Sequence, residues 1–176
     1  MSHAEETPMN ADELRALQAP LKDRYRQDAQ AAHITLKARG ALDDAHVACK
    51  VETGRALAVA GLHPATGGSG MELCSGDMLL EALVACAGVT CKAVATALGI
   101  TLRSGVVEAE GDLDFRGTLG LDKQAPVGFA AIRLSFRLDT DAPQESLDTL
   151  IKLTERYCVV LQTLKTPPAL SATLAR

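Results

Sequence analysis

Aromatic residues are nearly missing from this chain. Of its 176 residues only 3% are aromatic: three Phe, two Tyr and no Trp. Base-stacking surfaces need aromatic platforms, and a DNA footprint needs an excess of basic charge, whereas the net charge here is −4. Nucleic acid is therefore not an expected partner. The first ten residues carry neither a basic n-region nor an apolar h-region, so no secretory leader is visible and the expected location is cytoplasmic. The chain also lacks a CxxC pair and any Cys/His cluster at zinc spacing. Five cysteines, an odd number, do not read as a disulfide framework, and the four histidines (His3, His33, His46, His63) are scattered, so no metal site is expected. With 47% hydrophobic residues and few rings, the core has to come from Ala, Leu, Val and Ile. The length fits one domain with a short appendage.

The longest apolar stretch is SGDMLLEALVACAGVTCKAVATALG, residues 75–99. Ser75 can cap a helix, Asp77 suits its first turn, and Gly99 supplies a left-handed stop. Glu81 is the one charge between Met78 and Cys91, so this helix is expected to be buried nearly all round. Glu81, Thr90 and Lys92 interrupt it too often for a membrane span, and no membrane partner is expected. At about 100° per residue, Leu79, Ala82, Leu83, Cys86, Thr90, Ala93 and Ala97 share one side, small and mildly polar around Cys86. Glu81 lies roughly 140° away from Cys86, and Cys91 is off-face by the same angle, which argues against an intrahelical disulfide.

Residues 1–30 read as a tail followed by an amphipathic helix that Asn10 caps and Pro20 breaks or kinks. The alternating runs 32–39, 46–52 and 55–62 predict a three-stranded antiparallel meander, with Cys49 as a mid-strand core thiol. HPATGGSG (63–70) predicts a flexible loop. The runs 101–117 and 126–140 alternate as a long hairpin, with a bulge expected near Gly111 or Gly117. Asp141 is expected to cap a second helix whose inner stripe is Leu147, Leu150, Ile151, Thr154 and Cys158. Thr166-Pro167-Pro168 stops it, and 169–174 predicts a last strand. The order α, βββ, α, ββ, α, β is an α+β pattern, with antiparallel sheets around long buried helices.

Cys86 and Cys158 stand out, each on an apolar face. Burial is the default fate of a free cysteine, and the 72 residues between them give no contact from sequence alone. Cys74, in the loop before the helix, reads as a spare thiol or an alternative redox partner. Thr90, one turn after Cys86, reads either as a hydrogen-bonding group for a ligand or as a back-bond to its own helix. Tyr157 is expected to pack on the core, and Gly88 to mark a close helix crossing.

DMLLEALVACAGVTCKAVATALGI resembles the central cysteine helix of OsmC/Ohr-type proteins, of the form LLxALxxC followed by small residues. RYCVVLQTL resembles their second cysteine segment, CPVxxxL. The meander, Gly-rich loop, hairpin and final strand occur in the same order, and the resemblance covers roughly residues 32–175, within a domain set at 31–176. It implies an OsmC-like fold as an intertwined homodimer with sites at the subunit interface. It also implies thiol-dependent reduction of organic hydroperoxides in oxidative-stress defence. Carried over, Cys86 is the peroxidatic thiolate and Cys158 the resolving thiol, a dithiol reductant restores both, and no metal, flavin or haem takes part. The family's activating Arg comes from the meander: Arg39, in KARG, resembles it, and Arg55 is the other candidate. The carboxylate ten residues before the first cysteine is replaced by Gly76, leaving Asp77 and Glu81 as the nearest acids, with Thr90 as a further binding residue. Val159 stands where the second motif has proline.

Those departures define the alternatives. One is an OsmC-like dimer that binds a small apolar ligand without turnover. Another is a hot-dog-type thioesterase, since that fold also wraps sheet around a buried helix; the second helix and second cysteine segment argue against it.

Overall fold

The computed structural model describes residues 10–32, 39–42, 48–52 and 57–175. Helix α1 spans Ala11–Gln27. Its start is a reciprocal cap: the Asn10 side chain accepts from the Asp12 and Glu13 N–H groups (both 3.0 Å), while Glu13 accepts from the Asn10 N–H (2.9 Å). The helix continues through Pro20 rather than ending there.

Strands β1 (Arg39–Leu42), β2 (Ala48–Glu52) and β3 (Leu57–Gly61) form the expected antiparallel meander, with Arg39 opposite Glu52 and Cys49 opposite Ala60. Its first strand falls later than expected. Ala32 closes a 3₁₀ turn, Gly40 is inside β1, and the remainder of the 32–39 run up to residue 38 lies outside the described residues. A fourth strand, β4 (Leu73–Cys74), pairs parallel with β3, so Cys74 ends a strand rather than lying in a loop. Residues 63–70, expected as flexible, contain an ordered 3₁₀ turn over Pro64–Thr66. The His63 ring caps it, Nδ1 accepting from the Ala65 N–H at 3.0 Å, and Gly67 closes it at φ 93°.

Helix α2 follows at once over Ser75–Leu98, and Gly99 ends it at φ 69° as expected. Strands β5 (Ser104–Asp112) and β6 (Ala131–Asp139) form a two-stranded sheet. The Arg103 N–H reaches the Asp139 carbonyl at one end, and the Ala130 N–H reaches the Asp112 carbonyl at the other. The connection holds a short helix, α3 (Phe115–Thr118), capped by Asp114. Helices α4 (Gln144–Tyr157) and α5 (Val159–Lys165) complete the chain.

The Asp141 expectation is corrected. Pro143 occupies the cap of α4 and gives no side-chain cap bond. The Asp141 carboxylate is drawn instead to the Arg103 guanidinium, which Asp139 shares. The last strand is corrected too: no described strand pairs with residues 169–174, and Leu170 and Leu174 are exposed. Backbone donors and acceptors without a neighbouring edge gain nothing from an extended ladder.

The chain forms two compact units. One comprises 1–27, 83–107 and 136–176; the other comprises 28–82 and 108–135. The core of the first is Cys91, Ala95 and Leu150, with Val94, Ile100, Leu102, Phe136, Leu138 and Leu147 packed on it. Leu83, Ala87, Cys91 and Ala95, at i, i+4 spacing, are the buried residues of α2. The expectation of all-round burial fails: Val89 is 73% exposed, and Leu79, Ala82 and Ala85 are exposed as well. By length and composition α2 also has what a membrane-crossing helix needs. In the folded chain, however, one of its stripes belongs to a packed core.

Candidate active site: a cysteine pair at a helix joint

The site is built where α4 gives way to α5. Leu150 and Thr154 turn inward from α4 as expected, and Cys158 continues their line, all three nearly inaccessible to solvent. Cys158 is not helical: φ −71° and ψ 106° make it both the end of α4 and the start of α5. Its N–H donates to the Thr154 carbonyl and its carbonyl accepts from the Gln162 N–H, both at 2.9 Å. Gln162 Nε2 donates back to the Glu155 carbonyl at 2.7 Å, and Lys165 Nζ meets the Glu155 carboxylate at 3.0 Å. These bonds hold α5 against the end of α4. The sharp joint leaves the first N–H groups of α5 without intrahelical partners.

Those groups face Cys86. Burial by itself would raise the Cys86 thiol, but the Val160 N–H, the Cys158 thiol and the Val159 N–H outweigh it and bring Cys86 below its ordinary value. The Thr90 hydroxyl also lies close. Its single proton goes to the Cys86 carbonyl at 2.7 Å, so in this rotamer the sulfur relies on the α5 donors and on Cys158. Cys158 moves the other way: burial pushes it up and the adjacent Cys86 adds to this, against the Leu161 and Val160 N–H groups. Both thiols are free. Cys86 is partly accessible and Cys158 is buried, so a molecule from solvent meets Cys86 first. The two neighbouring thiols are thus pushed apart in their affinity for a proton, Cys86 the more readily ionised of the two.

Cys91 and Thr154 form a second, internal contact. Burial raises the Cys91 thiol, with the Thr154 hydroxyl and the Lys92 charge working against it. Thr154 Oγ1 is buried without a well-formed hydrogen bond, so what it shares with sulfur is weak.

The other sequence candidates sit as follows. Arg39 is the first residue of β1, and Arg55 lies outside the described residues. Asp77 and Glu81 are exposed on the first two turns of α2. Tyr157 does not pack on the core: it is 58% exposed, with the Arg156 guanidinium 5.6 Å from its ring centre. Gly88 faces Val107, but a Cβ there would be at an ordinary 3.8 Å, so this contact does not require glycine. The donors that sequence reasoning missed are the Val159 and Val160 N–H groups. Main-chain donors leave no mark in residue identity. The available signal was Cys158 followed by a seven-residue helix that stops before Pro167-Pro168.

A partly accessible thiol facing the start of α5, beside a buried thiol, on an α+β frame is the candidate site. The chain belongs to the OsmC-like protein family, whose family model matches residues 67–173. Solved structures with a similar fold include an OsmC-like protein from Mycoplasma pneumoniae (16% identity, TM-score 0.63, covering 76% of this chain and 89% of that one). Another is an organic hydroperoxide resistance protein OsmC from Legionella pneumophila (16%, TM-score 0.59, 77% and 92%). A third is an organic hydroperoxide resistance protein from Elizabethkingia anophelis (14%, TM-score 0.60, 77% and 91%). No curated protein sequence matches the chain.

Proposed function

We propose that this protein reduces organic hydroperoxides through Cys86 and Cys158, in defence against oxidative stress. The observation that carries the reading is the Cys86 sulfur held by the Val160 and Val159 N–H groups beside the Cys158 thiol. The Cys86 thiolate attacks the O–O bond of ROOH. Sulfur takes one oxygen, and the other leaves as ROH with a proton from solvent. The sulfenic acid condenses with the Cys158 thiol, forming a disulfide and releasing water. An external dithiol reductant reopens the disulfide by exchange, becoming oxidised itself. None of these steps calls for a metal, flavin or haem. A positive side chain near Cys86 would assist the first step, and Arg39 is our first choice for it, Arg55 the second. Asp77, Glu81 and Thr90 are the proposed binding residues around it.

The same reading includes a homodimer. Leu79, Ala82, Ala85 and Val89 leave an apolar surface on α2 that a single chain does not cover, and a second copy is the occupant we propose. The family match sets the hot-dog thioesterase aside.

The test is a thiol count before and after one equivalent of cumene hydroperoxide. Wild type should lose two thiols and Cys86→Ser none. A wild type that keeps all its thiols overturns the peroxidase reading and leaves a ligand-binding member of the family.

A further inference from the structure

We propose that Gln162 is a positioning residue for the cysteine pair: its side chain takes the Glu155 carbonyl that would otherwise draw the Val159 N–H back into α4, and so keeps that N–H turned to the Cys86 sulfur. The inference deepens the hydroperoxide reading and rests on it for the role of Cys86 as the attacking thiol.

The bend at Cys158 has no breaker in the sequence. From Gln144 to Lys165 the chain contains neither glycine nor proline. Only the extended backbone of Cys158 separates α4 from α5. Sharp bends in helices come from proline, from glycine and serine pairs, from a π-bulge, or from a side chain or water inserted into the hydrogen-bond ladder. Gln162 supplies an inserted side chain.

The ladder shows where it enters. In a continuous helix each N–H serves the carbonyl four residues back. The Val159, Val160 and Leu161 N–H groups would then go to Glu155, Arg156 and Tyr157. Here the ladder holds on either side of that gap: the Cys158 N–H donates to the Thr154 carbonyl and the Gln162 N–H to the Cys158 carbonyl, both at 2.9 Å. The three N–H groups between them turn to sulfur, Val159 and Val160 toward Cys86, Val160 and Leu161 toward Cys158. Glu155 thereby loses its main-chain donor, and Gln162 Nε2 takes the place at 2.7 Å. Lys165 meets the carboxylate of the same residue, but that ion pair is half-exposed and worth little.

The groups that act on Cys86 are the Val159 and Val160 N–H, the Cys158 thiol as titratable neighbour, and Thr90 from its own helix. Three of the four come from the bend. Gln162 therefore acts through Val159. Without its amide, the Glu155 carbonyl becomes an open acceptor that a helical Cys158 would let Val159 fill.

The test follows iodoacetamide alkylation of the Cys86 peptide by mass spectrometry over a series of pH values, on reduced full-length protein. Gln162→Met keeps the side-chain length and helix propensity but has no N–H. It should raise the Cys86 midpoint by roughly 0.4–1 pH unit, the equivalent of one net hydrogen bond. Gln162→Lys restores a donor of similar reach, and at high salt, where its charge is screened, its midpoint should match wild type. Val159→Pro removes the competing N–H, so adding Gln162→Met to it should move the midpoint no further. Gln162 is exposed, so each variant should fold, as circular dichroism will show. An unmoved midpoint in Gln162→Met overturns the proposal. So does a raised midpoint in Gln162→Lys, or a further shift in the double variant, which decides the matter by itself if Gln162→Met does not fold. Failure of the peroxide thiol count leaves these readouts standing, and an unmoved midpoint leaves that count untouched.

Discussion

Replacing Val159 by proline separates the two jobs of that residue. Val159 is the first residue of α5, where a proline ring fits the required backbone and no helix hydrogen bond is lost. The residue before a proline must be extended, and Cys158 already is, at φ −71° and ψ 106°. The Val159 side chain is 69% exposed, so little buried area goes with it. The remaining structural effect is a stiffer unfolded chain, worth about 0.4–1 kcal/mol in favour of folding. The N–H that disappears is one of those supporting the Cys86 sulfur. A bond to a charged acceptor is worth roughly 1.5–3 kcal/mol, partly made up here by Val160 and Cys158.

The sign therefore depends on pH. Where Cys86 is a neutral thiol, Val159→Pro should be the more stable protein, by about 1–4 °C in Tm for a chain of this size. Where Cys86 is a thiolate, the gain should shrink or reverse. The same loss should move the pH midpoint of Cys86 alkylation upward. Thermal unfolding at pH 5 and pH 9 in the presence of a reductant, with iodoacetamide rates across that range, reads both effects. A lower Tm at pH 5 would refute the backbone argument. An unmoved alkylation midpoint would refute the role given to the Val159 N–H.

Other substitutions probe the same frame. In wild type, Cys86 should alkylate with a midpoint below that of an ordinary thiol, about 8.5; Cys158→Ala removes a supporting group and should raise that midpoint. Leu150→Ala empties a fully buried position and should cost about 2–5 kcal/mol, read by urea unfolding. Thr154→Val exchanges a buried hydroxyl without a good partner for a methyl group of similar shape. Its stability should stay level or rise by about 1 kcal/mol in the same assay. If the apolar face of α2 is covered by a second copy, Val89→Lys should shift sedimentation from dimer to monomer.

The α2 helix was legible because its apolar run starts at Ser75 and stops at a glycine that turns left-handed, both local signals. Which of its faces is buried was not legible. Hydrophobicity says that a surface avoids water, not whether the same chain or another molecule covers it, and Val89 shows the difference. Turn chemistry misled at Asp141, because a cap position competes with an ion pair to Arg103 that lies far away in sequence. Strand β4 is too short to show a period. The Cys86–Cys158 contact came only through family resemblance, since pairing across 72 residues is a property of packing. The N–H groups that tune the pair belong to the main chain and have no letter of their own.

The two units share the chain in an unusual way. The chain passes between them after residues 27, 82, 107 and 135, and three of those passages fall inside α2, β5 and β6. No single cut therefore releases an intact unit. A fragment ending within α2 carries half a helix, and one beginning within β6 has lost its partner strand. Such a protein cannot be assembled by joining two ready-made genes end to end, or dissected into independently folding halves. A ribosome has to deliver the chain up to residue 135 before one unit has all its parts, and nearly all of it before the other does, and recombination at most internal points would break both at once.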